Sequence, residues 1–371
     1  MSVEGLVVPG FEPVREALAA NFSRHRDLGA AVCVYRDGKP VVDLWGGVAD
    51  PHTARPWTRD TLAVLYSVTK GVLAAAAHVL VERRKLDLDV PVAQYWPDFA
   101  AENKAGITVR QLLSHQAGLP VLDKPVPLAE ALTWQPMADA LAAQRPVWPP
   151  GTAHGYHART FGWLVGEVIR RVTDRSPGRF VADAVAAPLG LDLFIGLPES
   201  QRRRVARLIP GVPEPGAEPD PNSLRVRACQ ITNPPDIDFG SAAVQAAEIP
   251  SSNGIATARA VARMYAALIG EVEGARLFRP KTLANATREQ VAGMDLVLEI
   301  PTRYACGFVL PTESLPLTGP RSFGHPGRGG SLAFADPKLG LAFAYLTNHI
   351  IDCPEDPRSN NLVEAVLESL R

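Results

Sequence analysis

Most of the features that would assign this chain to a class at once are missing. Its four cysteines (Cys33, Cys229, Cys306 and Cys353) stand far apart with no C-x-x-C spacing. That argues against a disulfide frame and leaves them as small core residues of a reducing compartment. No apolar run reaches membrane-spanning length. The N-terminal Met1-Ser2-Val3-Glu4-Gly5-Leu6 lacks the basic and apolar regions of a secretory leader, so the expected setting is cytoplasmic. An excess of either charge is also missing: 38 Lys and Arg face 39 Asp and Glu, for a formal net charge of -1. Neither a general nucleic-acid binder nor a membrane-surface protein has that balance. A short basic cluster, Arg202-Arg203-Arg204, is too small for an electrostatic platform and reads as a solvated face. There is no G-x-S-x-G and no H-E-x-x-H; His154 and His157 stand three apart without further ligand spacing. Neither a metal nor a cofactor is expected.

What is present is enough chain, 371 residues, for one large domain or two smaller ones. Residues 11–24 carry apolar positions at helical spacing. Ala30 to Tyr35 and Val41 to Gly47 flank Asp37-Gly38 and read as a hairpin. A helix should follow to about Arg84, then an extended Asp87 to Val92. Helices are expected at Ile107 to Leu113 with Thr108 as cap, at Pro136 to Gln144 and at Thr160 to Val172. Pro210 to Pro235 is proline-rich and reads as a surface loop. The last third returns to mixed character. Helices span Thr257 to Leu268 and Asn361 to Leu370, and strands span Cys306 to Leu310, Ser331 to Ala335 and Leu341 to Thr347. The expected fold is α/β of the α+β kind, with an antiparallel sheet built from both chain ends and flanked by helices. Residues 1–90 and 236–371 would form its α/β part, and 91–235 an inserted, mainly helical subdomain. A cleft between the two parts is the natural ligand site.

The chemistry starts at Ser67-Val68-Thr69-Lys70, an S-x-x-K at the start of a predicted apolar helix. Residues three apart share a helix face, so the Lys70 amine reaches the Ser67 hydroxyl. A serine is a poor nucleophile until a base takes its proton, and a lysine held neutral by burial is such a base. A free lysine titrates at about 10.4, so acting near neutrality needs a fall of about three units, or about 4 kcal/mol. Burial and the positive potential of a helix N-terminus would supply it.

Three further segments complete the pattern: Pro150-Gly151-Thr152-Ala153-His154-Gly155-Tyr156-His157-Ala158, Leu112-Leu113-Ser114-His115-Gln116-Ala117-Gly118, and Phe323-Gly324-His325-Pro326-Gly327-Arg328-Gly329-Gly330. With these in this order, the chain resembles the serine β-lactamase/penicillin-binding-protein superfamily, nearest to class C β-lactamases and the carboxylesterases built on that fold. The resemblance implies that Ser67 is the acylated nucleophile, Lys70 its partner, and Tyr156 a phenol sharing the base role. An ammonium at Lys70 would favour a phenolate there. It implies an oxyanion hole from the N–H groups of Ser67 and Arg328. Ala158 stands where the family's Y-x-N motif has Asn, which weakens lactam recognition. His325-Pro326-Gly327 replaces K-T-G and makes His325 and Gly327 candidate substrate-binding residues. A side chain at Gly327 would obstruct the acyl group's approach.

Histidine for lysine at 325 removes a fixed cation that would hold a substrate carboxylate. Arg328 is the remaining candidate for that charge. Two readings of His325 stand: it contacts the leaving group, or it fills the lysine's space. His115 is expected to hydrogen-bond within a turn. The expected function is therefore a serine hydrolase, a carboxylesterase acting on small-molecule, short-chain acyl esters. The rivals are a β-lactamase or D,D-peptidase, an acyltransferase, and a binding or sensor protein that is acylated without turnover.

Overall fold

The computed structural model describes residues 2–211, 220–353 and 356–371. A six-stranded path carries the main sheet, and it uses both ends of the chain. Its strands are β1 (Val3–Val7), β2 (Gly29–Arg36), β3 (Lys39–Asp50), β4 (Phe323–Pro326), β5 (Leu332–Asp336) and β6 (Leu341–Thr347). Their spatial order is β1-β3-β2-β6-β5-β4, every neighbour antiparallel, with a short strand Arg55–Pro56 pairing off the path with β3. The β2–β3 hairpin turns through Asp37 and Gly38, both at positive φ (48° and 76°), as a two-residue turn between twisted strands requires. In the β5–β6 hairpin, the Asp336 carboxylate accepts hydrogen bonds from the N–H groups of Lys338 and Leu339.

Side-chain size sorts the two faces of this sheet. In β6 the residues Leu341, Phe343 and Tyr345 point one way and Ala342, Ala344 and Leu346 the other. The bulky face packs on helix α1 (Glu12–Arg24), through Val14, Leu18 and Phe22, and on the C-terminal helix Arg358–Ser369, through Leu362, Val363 and Val366. The alanine face, continued by Ala333 and Ala335 in β5, lets the helix Ala258–Ile269 come close; that helix buries Val261, Met264, Tyr265 and Leu268 against it. Beyond it lie the helices Val68–Glu82 and Thr160–Thr173, which share the larger apolar core.

Thr108 caps the helix Val109–Leu113 in a reciprocal box with Gln111. Helices also occupy Gln135–Ala143 and Thr160–Thr173, close to the expected spans. Three local expectations are corrected. Cys306 to Leu310 is not a strand: Gly307 takes φ +85° where a Cβ would meet Ala74, and only Val309 bridges to neighbours. The strands there are Val291–Met294 and Pro301–Tyr304, paired as a hairpin. Asp87 to Val92 is a run of turns, not an extended segment, pinned where the Asp87 carboxylate accepts from the Asp89 N–H. Among the cysteines, Cys33 and Cys306 are buried, but Cys229 is exposed and Cys353 half-buried. Of the expected loop 210–235, residues 212–219 lie outside the described residues; the remainder includes a Ser223-capped helix, Leu224–Arg227, and the strand Thr232–Asn233. No helix among the described residues is long and apolar enough to cross a membrane.

Candidate active site

The site begins with a sharp entry into the helix Val68–Glu82. A two-residue strand, Ala63–Val64, pairs with Ile255–Ala256, and the chain then turns through Tyr66 at φ +45°. A non-glycine residue in that region is strained, and such strain persists only where the surroundings enforce it. Here the Leu65 N–H donates to Gly254 O, and the Tyr66 ring packs edge-on against Phe239. Ser67 is thereby set at the N-cap position. A serine there ordinarily accepts a hydrogen bond from the N–H of the second or third helical residue. Ser67 makes no such bond, so its hydroxyl is available to the cleft. Gly71, one turn on, is needed for space: a Cβ there would lie 2.1 Å from the Tyr265 hydroxyl oxygen.

Lys70 is fully buried. Its Nζ lies 3.1 Å from Ser67 Oγ, 2.7 Å from Ala158 O and 3.1 Å from Ser251 O. Burial, with a smaller push from Arg159, drives its amine well below the ordinary lysine range. Lys104 offers an internal contrast. It is also buried, but all three of its acceptors are backbone carbonyls (Ala101, Ala142 and Gln144). Lys70 differs in having a hydroxyl as its third partner.

Tyr156 approaches from a different stretch of chain, with its hydroxyl 2.7 Å from Ser67 Oγ and its ring 4.7 Å from Lys70 Nζ. Burial pushes the phenol's pKa up, so it rests as a phenol and not as the phenolate considered above. The loop is held by His115, whose backbone carbonyl accepts from the Gly155 N–H and whose Nδ1 accepts from the His157 N–H at 3.1 Å. The His115 ring also packs at a tilt against Tyr156 and Phe161 and edge-on against Tyr304. His157 is committed to Gly155 O and the Leu119 N–H. Among the described residues no group of three or more His, Cys, Asp or Glu side chains is arranged to hold a metal.

Strand β4 supplies the opposite wall. His325 is buried; its Nδ1 donates to Pro326 O at 2.7 Å, and its Nε2 has no partner among the described residues. Burial and the nearby Lys70 push its pKa down to about 3, so the ring is neutral. Gly327 is extended, at φ -116°. A Cβ there would lie 2.7 Å from Leu65 O, so the glycine lets the strand lie against the turn that carries Ser67. The Arg328 side chain does not serve as a cation in the cleft: it reaches outward and pairs with Asp352 at 2.5 Å. Ser67, Tyr156, His325, Gly327 and Arg328 line one cleft of about 340 Å³, closed by the apolar residues Leu298, Ile300, Pro301, Val309 and Leu315.

Two contributors lie outside every sequence motif. Ser251 supplies a carbonyl to Lys70, and its hydroxyl donates to Arg159 O. Asp295, fully buried, accepts from the backbone N–H of Tyr156 at 3.0 Å. The run Asp295-Leu296-Val297-Leu298, an acidic residue opening an apolar stretch, is the one local signal that a turn begins there.

Similarity to known proteins agrees with this geometry. Residues 15–365 match the beta-lactamase family. The chain is 36% identical to the esterase/beta-lactamase LipL of Mycobacterium tuberculosis, an alignment covering 94% of this chain and 83% of that one. It superposes on the crystal structure of a family VIII carboxylesterase with a TM-score of 0.91 and 38% identity, covering 100% of both chains. A penicillin-binding protein homolog from Caulobacter crescentus gives a TM-score of 0.92, also at 38% identity and 100% coverage of both. With its antiparallel sheet, its S-x-x-K helix and a family match that spans nearly its whole length, the chain belongs to the beta-lactamase family.

Proposed function

We propose that this protein is a serine carboxylesterase that forms an acyl-enzyme on Ser67 and hydrolyses small, uncharged esters of short acyl chains. One observation carries the reading: a serine hydroxyl freed from helix capping sits between a buried amine and a phenol, at 3.1 and 2.7 Å. A neutral Lys70 amine donates its two hydrogens to Ala158 O and Ser251 O and keeps its lone pair for the Ser67 proton. Ser67 Oγ then bonds to the ester carbonyl carbon while its proton passes to Lys70. The N–H groups of Ser67 and Arg328 hold the oxyanion; such a donor is typically worth about 3 kcal/mol. As the C–O bond to the alcohol breaks, the departing oxygen takes a proton relayed through the Tyr156 phenol. Water repeats the sequence on the acyl-enzyme and releases the acid.

The choice of ester follows from charge. His325 is neutral and Arg328 is paired with Asp352, so neither offers the fixed cation that a carboxylate-bearing lactam or peptide calls for. The wall of Leu298, Ile300, Pro301 and Leu315 suits a hydrocarbon chain. The names of the relatives, an esterase/beta-lactamase and a family VIII carboxylesterase, support the same class. The cleft would mark a seam between an α/β part, 1–90 and 236–371, and a helical part, 91–235, with Tyr156 crossing it to reach Ser67. A cytoplasmic setting belongs to the same proposal.

The test is a panel of short-chain esters, a chromogenic cephalosporin and D-amino-acid peptides on wild type and Ser67→Ala. Ester turnover that is lost in the variant supports the reading. Cephalosporin turnover rivalling that of esters favours a lactamase, and transfer product on adding alcohols favours an acyltransferase. A stable adduct on Ser67 without turnover favours a sensor. Wild-type-like ester hydrolysis by Ser67→Ala overturns the mechanism.

A further inference from the structure

We propose that Asp295 is the positioning residue of the proton relay: its carboxylate ties the backbone of Tyr156 to the acyl-binding wall, so that the proton donor and the chain pocket share one support. The inference rests on the esterase reading above. Oδ1 accepts three backbone hydrogens, from Tyr156 at 3.0 Å, Val297 at 2.9 Å and Leu298 at 2.8 Å. Oδ2 faces the hydroxyls of Tyr304 at 3.0 Å and Thr302 at 3.4 Å. Four of these five donors (Tyr156, Leu298, Thr302 and Tyr304) belong to residues that line the catalytic cleft. Tyr156 lies 139 positions away in the chain from the carboxylate that holds it.

Burying a carboxylate is costly unless it is paired or fully hydrogen-bonded. Among the described residues no Lys, Arg or His forms an ion pair with Asp295; neutral donors alone satisfy it. Those donors converge on the Tyr156 loop and on the hairpin Val291–Met294/Pro301–Tyr304. A second rung runs parallel to the first. The Leu296 N–H donates to His154 O, and His154 Nε2 lies 2.9 Å from Thr302 Oγ1. The hydroxyl of Tyr156 therefore owes its place over Ser67 to a carboxylate that touches neither Ser67 nor substrate. A misplacement of about 1 Å in such a group costs about 100-fold in rate.

The experiment compares Asp295→Asn, Asp295→Glu and Asp295→Ala by kcat and KM on a short-chain ester, with thermal melts to confirm folding, each also in a Tyr156→Phe background. Asp295→Asn keeps an oxygen for the three amides and should stay within about 5-fold of wild type. Asp295→Glu keeps the charge but displaces those amides, and should lower kcat by about 10-fold or more with little change in KM. Asp295→Ala should lower kcat by about 100-fold, and by less than about 5-fold once Tyr156 is already Phe. Equal kcat for the Asn and Glu variants, or the same factor lost with and without the Tyr156 hydroxyl, overturns the proposal. If Ser67→Ala stays active, the esterase mechanism itself has failed; if that variant is dead while the Asp295 series is flat, only this inference falls.

Discussion

Replacing Tyr156 with Phe removes one oxygen atom and, by the geometry here, almost nothing else. The ring keeps its neighbours His115 and His325, at centroid distances of 5.1 and 5.9 Å, and its backbone N–H keeps Asp295. Ser67 keeps Lys70 at 3.1 Å. The ground state loses a single neutral hydrogen bond, about 1 kcal/mol, so the melting midpoint should move by about 2 °C or less. The transition state loses a proton donor, which is worth about 100- to 10,000-fold, or about 3–5 kcal/mol. Two esters of one acyl group separate the steps. A nitrophenyl ester leaves as a stabilised anion that needs no proton, whereas an ethyl ester leaves as an alkoxide that does. The variant should therefore be impaired at least ~10-fold more on the ethyl ester than on the nitrophenyl ester. The same factor on both would remove Tyr156 from leaving-group protonation. Unchanged rates on both would hand the whole proton transfer to Lys70.

Gly71→Ala should destabilise the fold by about 1–3 kcal/mol, because its Cβ would meet the buried Tyr265 hydroxyl oxygen at 2.1 Å; an unchanged urea midpoint would show that the two helices can part freely. Arg358→Met should cost about 3–5 kcal/mol, since it strands the fully buried Asp27 and releases Gly329 O beside the proposed oxyanion strand; stability at the wild-type level would contradict that account. The neutral buried histidines predict a loss of stability in acid. His78 and His157 are held down to about 4 and His325 to about 3, against 6.5 for a free ring, each chiefly by burial. Between those values the unfolded chain binds protons that the native protein does not, so stability falls as pH drops from about 6.5 towards 4, by up to about 1.4 kcal/mol per histidine per pH unit. Equal urea midpoints at pH 7 and pH 5 would refute this.

Much of this arrangement can be read from residues that carry their own local chemistry. Asp37-Gly38 announces its hairpin, Thr108 its cap, and the apolar spacing around Val261 and Tyr265 its buried helix face. Each is decided within a few residues of chain. Ser67 and Lys70 are legible for the same reason, being one helical turn apart. Cys306 to Leu310 misleads because its β-branched and aromatic residues look like a strand, while Gly307 is there to pass Ala74. Asp295, Ser251 and the Arg328–Asp352 pair are invisible to spacing arguments. Each acts on a residue that only the folded chain brings near, and an isolated aspartate or serine has no period to betray it.

The pairing of β2 with β6 carries a consequence for biosynthesis. Val32 lies beside Tyr345, so the centre of the sheet joins segments from opposite ends of the chain. On the ribosome, the helix with the nucleophile emerges long before the strand that bears His325 and the amide of Arg328. Such distant pairing is slow to form, and the nascent polypeptide would carry its serine without a finished crevice. Hydrolytic competence should therefore arrive all at once, late, when the last strands dock along the open edge of β2.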